Sequence, residues 1–288
     1  MRAFAVAAIF AVIFLGVVAA PSYSETPSEL SRLINSGTWK IYSTGNAGLV
    51  NLALSYAPTL SNSAGIVPLA AMGMSAQDLA GEHALQFRFP AAAGDFMCQG
   101  DAANGKGSGT FVFVPDAAYS KAYDAIHPTA LTPRQQVQAG IFDLSIDFVR
   151  AVAAAGFADA SFETLLGMKI FGVTPGFVKT LHADFPTADS SDVVGTWMLV
   201  DKEHVEIHAL HLDFPAESLD AIVALATAGV TPAYVTALRN AGVHDISAES
   251  VAVLHANGVD QAFVDRLAAN GPRGLSVEEV VRLKKTPP

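Results

Sequence analysis

The run Glu203-His204-Val205-Glu206-Ile207-His208-Ala209-Leu210-His211 is the densest cluster of ligating side chains in the 288-residue chain. On a helix each residue turns about 100°, so positions 204, 208 and 211 fall within about 60° of one another. Three imidazoles on one face can hold Zn²⁺ or another divalent cation, which makes His204, His208 and His211 the candidate metal ligands. The order His-x-Glu-x-His differs from the His-Glu-x-x-His of zinc peptidases, so the spacing does not imply a peptidase centre. Ile207 and Leu210 lie on the opposite face, which assigns the imidazoles to solvent and makes a solvated histidine face the competing reading.

Other chemistry is excluded residue by residue. Gly100-Asp-Ala-Ala-Asn-Gly105-Lys106 matches most of a phosphate-binding loop, but Gly107 stands where the Mg²⁺-binding Ser or Thr belongs. The alternating run Thr110 to Val114 follows, so no helix N-terminus faces a phosphate, and the segment reads as a hairpin. Cys98 shares strand parity with Phe96, which predicts a buried, inert thiol. A single cysteine also excludes an internal disulfide and a cysteine-based metal cluster. No Gly-x-Ser-x-Gly elbow occurs, and the carboxylates single out no acid/base pair. No catalytic residue and no cofactor are therefore expected, and the chain reads as non-enzymatic.

Lys and Arg number 17 against 27 Asp and Glu, a net charge of −10, which argues against nucleic acid or anionic lipid as the main partner. Residues 1–24 read as a secretory signal peptide. Arg2 supplies the positive start, Ala3 to Ala20 is apolar and uncharged, and Ser22-Tyr23-Ser24 precedes the cut before Glu25. Removing this segment removes one basic residue, leaving 16 against 27 and a net −11. No second stretch is long and apolar enough to span a membrane, so a periplasmic or secreted protein is expected.

The elements that carry these residues fall into two regions of different period. From 39 to 115 apolar residues alternate, as in Val50, Leu52, Leu54 and Tyr56, or Leu85, Phe87 and Phe89, or Phe111 and Phe113. Turn signals separate them at Thr44-Gly45-Asn46, Ser61-Asn62-Ser63-Ala64-Gly65 and Asn104-Gly105-Lys106-Gly107. This predicts an antiparallel β-domain, a sandwich or a partly open barrel, preceded over 25–38 by a short helix, capped by Ser28, and a linker.

After Pro115 the period becomes helical and an internal repeat appears. Gly172-Val-Thr-Pro-Gly-Phe-Val-Lys-Thr-Leu, Gly229-Val-Thr-Pro-Ala-Tyr-Val-Thr-Ala-Leu and Gly258-Val-Asp-Gln-Ala-Phe-Val-Asp-Arg-Leu start 57 and 29 residues apart. A degenerate copy fills 201–214, and another begins at Asp143. Ser161, Ser190, Ser218, Ser247 and Ser276 recur at 29, 28, 29 and 29 residues. Each serine caps a first short helix, with Leu165, Leu166 and Ile170 expected on the buried face of one of them. Gly172 or Gly229 ends such a helix at positive φ, and Thr174-Pro175 or Thr231-Pro232 starts the second. The reading is an α+β chain in two domains, with a helical adapter over 116–142 and an α-solenoid of about 29-residue helix pairs over 143–288.

The Gly-Val-Thr-Pro-x-Phe/Tyr-Val-x-x-Leu unit resembles the short helical repeats of many exported or membrane-anchored bacterial proteins. Similar repeats form the C-terminal tails of zinc metallopeptidases related to the penicillin-sensing antirepressors. Gly109-Thr-Phe-Val-Phe-Val-Pro-Asp116, with Tyr119 following, resembles the β-region that often precedes them. The peptidase catalytic motif is absent, so the resemblance implies architecture and not that activity. The expected function is a macromolecular interaction module of the cell envelope whose partner is another envelope protein. The alternatives are a ligand-binding or stress-sensing protein using the β-domain, and an enzyme whose residues meet only in three dimensions.

Overall fold

The structure is a computed structural model that describes residues 35–46, 48–59, 61–199 and 205–286. The expected signal peptide, the Ser28 helix and His204 lie outside these residues. Six strands come first: β1 (Ser36–Ser43), β2 (Leu49–Tyr56), β3 (Ser61–Pro68), β4 (Glu82–Ala91), β5 (Gly94–Ala103) and β6 (Lys106–Pro115). They form one antiparallel sheet in the order β3-β2-β1-β6-β5-β4. Twelve helices follow among the described residues, so the chain is α+β.

The alternation puts one apolar face inward. Trp39 and Ile41 of β1 stand opposite Leu54 and Leu52 of β2, and all four are buried. Phe96 meets Phe111 edge-on and packs tilted on Phe113, each with ring centroids 4.9 Å apart. Burying a large apolar side chain contributes about 1.5–3 kcal/mol, so this face is the main source of sheet stability. Trp39 reaches across β6, and its Nε1 donates to the Gln99 and Thr110 carbonyls at 3.2 and 3.0 Å. A glycine at 107 is needed beneath it, because a Cβ there would lie 2.9 Å from the indole.

Two expectations about this region change. The sandwich alternative gives way to a single sheet among the described residues, because a helix rather than a second sheet covers its inner face. The run Ser61 to Gly65, expected as a turn, is most of strand β3, which pairs with β2 along its whole length. Its small polar residues suit an edge strand that buries little.

The helices are α1 (Ala117–Asp124), α2 (Pro133–Ile141), α3 (Ile146–Ala154), α4 (Phe162–Ile170), α5 (Pro175–Asp184) and α6 (Ser190–Leu199). They continue as α7 (Val205–Asp213), α8 (Leu219–Thr227), α9 (Pro232–Asn240), α10 (Ala248–Ala256), α11 (Gln261–Asn270) and α12 (Val277–Lys285). None exceeds three turns, so each depends on packing. Capping follows the sequence closely. Ser161, Ser218, Ser247 and Ser276 accept backbone N–H bonds at the starts of α4, α8, α10 and α12. Thr174 and Thr231 do so for α5 and α9, each followed by Pro at the first helical position. One cap is displaced: Asp189, not Ser190, accepts from Ser191 and Asp192 at the start of α6.

The cap spacing also continues back through 116–142. Asp116 caps α1 and Thr132 caps α2, each 29 residues before the next cap of its series, Ser145 and Ser161. Tyr119 Oη donates to the Leu144 carbonyl and Tyr234 Oη to the Val259 carbonyl, both at 2.7 Å and both across 25 residues. Odd-numbered helices pack on odd-numbered ones from α1 to α11, and even on even from α4 to α12. Helix α2 packs on β3, β5 and β6, and sheet and helices share one continuous core.

Candidate functional sites

Helix α7 carries the histidine cluster and stacks on α5. Ile207 and Leu210 are buried as expected, but His208 and His211 are half-buried rather than turned to open solvent. His208 Nδ1 donates to Asp184 Oδ2 at 2.7 Å, at the end of α5. His211 packs edge-on against Phe185, with centroids 4.7 Å apart, and its Nδ1 is buried without a partner. The preceding layer repeats the contact, with His182 on Phe157 at 5.0 Å. The following layer repeats it with a guanidinium, Arg239 over Phe214 at 6.0 Å, and Arg239 also pairs with Asp213.

The recurrence has a simple cause. In three successive layers a side chain near the end of the odd helix, His182, His211 or Arg239, reaches back over the aromatic that closes the previous layer. The flat imidazole or guanidinium covers the ring edge or face, and beside Phe214 the Asp213 carboxylate also holds Arg239. His208 and His211 are thus engaged with α5 and its C-terminal residue. Among the described residues no three His, Cys, Asp or Glu side chains gather into a set able to hold a metal ion. His204, the third expected ligand, lies outside those residues.

The other motifs resolve plainly. The phosphate-loop-like segment is the β5–β6 hairpin, turning at Asn104 and Gly105 with φ of 50° and 81°. Cys98 is buried in β5, and loss of hydration pushes its thiol up to about 12, so it carries no thiolate near neutrality.

The site that the motifs do not point to is a cleft at the sheet edge. Strand β3 and the end of β4 are the two margins of the sheet, yet both bound one cavity of about 600 Å³. Leu52 and Leu54 form its floor, Ser63 and Gly65 of β3 one wall, and Phe142 and Ile170 part of the other. The charged groups in its lining are Asp143 and Lys169, which face each other at 3.9 Å. Asp143 sits at φ 50°, a left-handed backbone rare for a non-glycine residue. The available signal was the combination of a small-residue run, Ser61–Gly65, with the apolar pair Ile141-Phe142 at the end of α2.

Ile141-Phe142 recurs one layer on as Ile170-Phe171 and then as Met198-Leu199 at the end of α6. Ile170, Phe171, Met198 and Leu199 are 48%, 47%, 60% and 61% exposed. Trp197 joins the two ends by donating from Nε1 to the Phe171 carbonyl at 2.8 Å. Ile170 was expected on a buried face, but as the last residue of α4 it is half exposed and borders the cleft. The corresponding pairs further along, Thr227-Ala228 and Ala256-Asn257, lack large apolar side chains. No known protein family, curated protein or solved structure matches the chain.

Proposed function

We propose that this chain is an exported, non-enzymatic protein that binds another protein of the cell envelope through its helical half. In this reading the helices over 116–286 form an α-solenoid of about 29-residue pairs set beside the sheet as a second domain. The observation that carries it is the apolar strip of Ile170, Phe171, Met198 and Leu199 at the adjoining ends of α4 and α6. Large apolar side chains grouped at a surface favour covering by a partner, and the equivalent positions of later layers avoid them. Export rests on Arg2, the apolar run Ala3–Ala20 and the small residues before Glu25.

The test pairs wild type with a double substitution, Met198→Glu and Leu199→Glu. Both side chains are exposed, so the melting temperature should stay near that of wild type. Wild type should retain one envelope protein stoichiometrically from envelope extract, and the double variant should lose it. Equal retention by both proteins, or none by wild type, removes the reading.

A further inference from the structure

We infer that β3 is a docking edge that takes up an extended, uncharged polypeptide segment as a seventh strand, with its alternate side chains seated in the cleft beside it. The inference rests on the partner-binding reading and names the partner's form, while placing contact at the sheet edge rather than on the helix ends alone.

Register decides which β3 groups turn away from β2. The Leu69 N–H donates to the Gly48 carbonyl at 2.9 Å, one step beyond the Leu49–Pro68 pair of the β2–β3 ladder. Bonded pairs alternate in an antiparallel ladder, so Val67, Gly65 and Ser63 bond to β2. Ala64 and Ile66 therefore direct their N–H and C=O groups away from β2, along the side that borders the cavity. Among the described residues no strand pairs with these groups of Ala64 and Ile66, and such a row is a template for another extended chain.

The two edges of the sheet are treated differently. Strand β4 carries Glu82, Arg88 and Pro90, which are residues that discourage pairing. Strand β3 is Ser-Asn-Ser-Ala-Gly-Ile-Val-Pro, with no charge and with proline only at its end. From Ala64 to Ile66 the β3 edge therefore carries none of the features that discourage pairing.

The cleft specifies the occupant. A strand laid along β3 alternates its side chains between two faces. Those turned inward enter the cavity over Leu52 and Leu54, against Phe142. Those turned outward meet Ile66, which is 67% exposed. Asp143 and Lys169 neutralise each other at the cleft, so nothing there favours a charged segment. Ile170 belongs both to the cleft and to the helix-end strip, so a partner can continue from one to the other.

Gly65 supplies a selective test. It lies in the cavity wall, and a Cβ built on it meets no atom within 4 Å. Gly65→Val should therefore leave the fold intact while filling the groove. The full chain is panned against a random twelve-residue peptide library displayed on phage, and an enriched peptide is synthesised. The expected result has three parts: apolar residues at alternate positions of the peptide, exchange of the Ala64 and Ile66 amides slowed about tenfold or more on binding, and affinity reduced about tenfold or more by Gly65→Val at unchanged melting temperature. Failure to enrich any peptide, or equal affinity for Gly65→Val, overturns the inference. Protection confined to Ile170, Phe171, Met198 and Leu199 also overturns it, but leaves the partner-binding reading standing. A dimer in which the Ala64 and Ile66 amides are already protected assigns the edge to a second copy and overturns it too.

Discussion

At the scale of single residues, burial decides what each side chain can do. Cys98 illustrates this with a measurable sign. Its thiol is pushed from an ordinary 9.0 up to about 12 by loss of hydration. Between those values the unfolded chain has lost the thiol proton and the folded chain has kept it. The unfolded state then binds one proton fewer, so stability falls as pH rises. The contribution is fully present below pH 9 and lost by about pH 12, at a slope of about 1.4 kcal/mol per pH unit. Denaturant unfolding of Cys98→Ala should be flatter by that amount across this window. Tyr123 and Tyr234, also pushed up to about 12 by burial, leave a remaining slope above pH 10. An unchanged slope in the variant would mean that Cys98 is hydrated. Parity with Phe96 was enough to read this residue from sequence. The histidines were harder, because their spacing placed them on one face but not what that face meets. Asp184 and Phe185 come from the preceding layer, about 25 residues away, and turn a nominally solvated face into a half-buried seam.

At the scale of elements, helix ends were legible and strand edges were not. A cap needs one side-chain oxygen three residues before an orphan N–H, and a C-terminal glycine needs positive φ; both are local. Gly229 adopts φ 86° after α8, as its place in the Gly-Val-Thr-Pro corner requires. A Cβ there would meet only His255, no closer than 3.6 Å, so space is not the constraint. Gly229→Val should nevertheless cost more than about 1 kcal/mol, because a β-branched residue resists that backbone region. Thermal melts of Gly229→Val and Gly65→Val make the comparison internal. The first should be destabilised and the second should not, since only Gly229 lies at positive φ. Equal melting temperatures would mean that the corner is not held left-handed. Strand β3 escaped the sequence reading for the converse reason. Ser-Asn-Ser-Ala-Gly has the composition of a turn, and only the ladder to β2, a tertiary fact, makes it a strand. The one-residue shift from Ser190 to Asp189 has a local cause, since an aspartate accepts two helix-start N–H bonds as well as a serine accepts one.

For the whole molecule, the two halves transmit damage differently. The sheet is two three-stranded meanders, β1–β3 and β4–β6, joined where β1 pairs with β6, far along the chain. Loss of any inner strand therefore unpairs the sheet. The helices α4 to α12 instead contact the next helices of their own row or the adjoining layer. Helix α2 couples the two systems, packed on the sheet while Gln135 Nε2 donates to Glu163 Oε1 at the start of α4. A chain ending at Asn257 loses α11 and α12 and uncovers Tyr234 on α9 and Leu254 on α10. Each newly exposed large side chain should weaken its layer by about 2 kcal/mol. In the proposed solenoid, nearest-neighbour coupling confines that loss to the last layers. Hydrogen exchange of the truncated chain should show faster amides in α9 and α10, with amides of β1, β5 and β6 as slow as in the full chain. Uniform acceleration through the sheet would instead mean one cooperative unit. The distinction bears on binding: if layers open independently, a partner held by the ends of α4 and α6 and by β3 stays bound while the C-terminal layers fray.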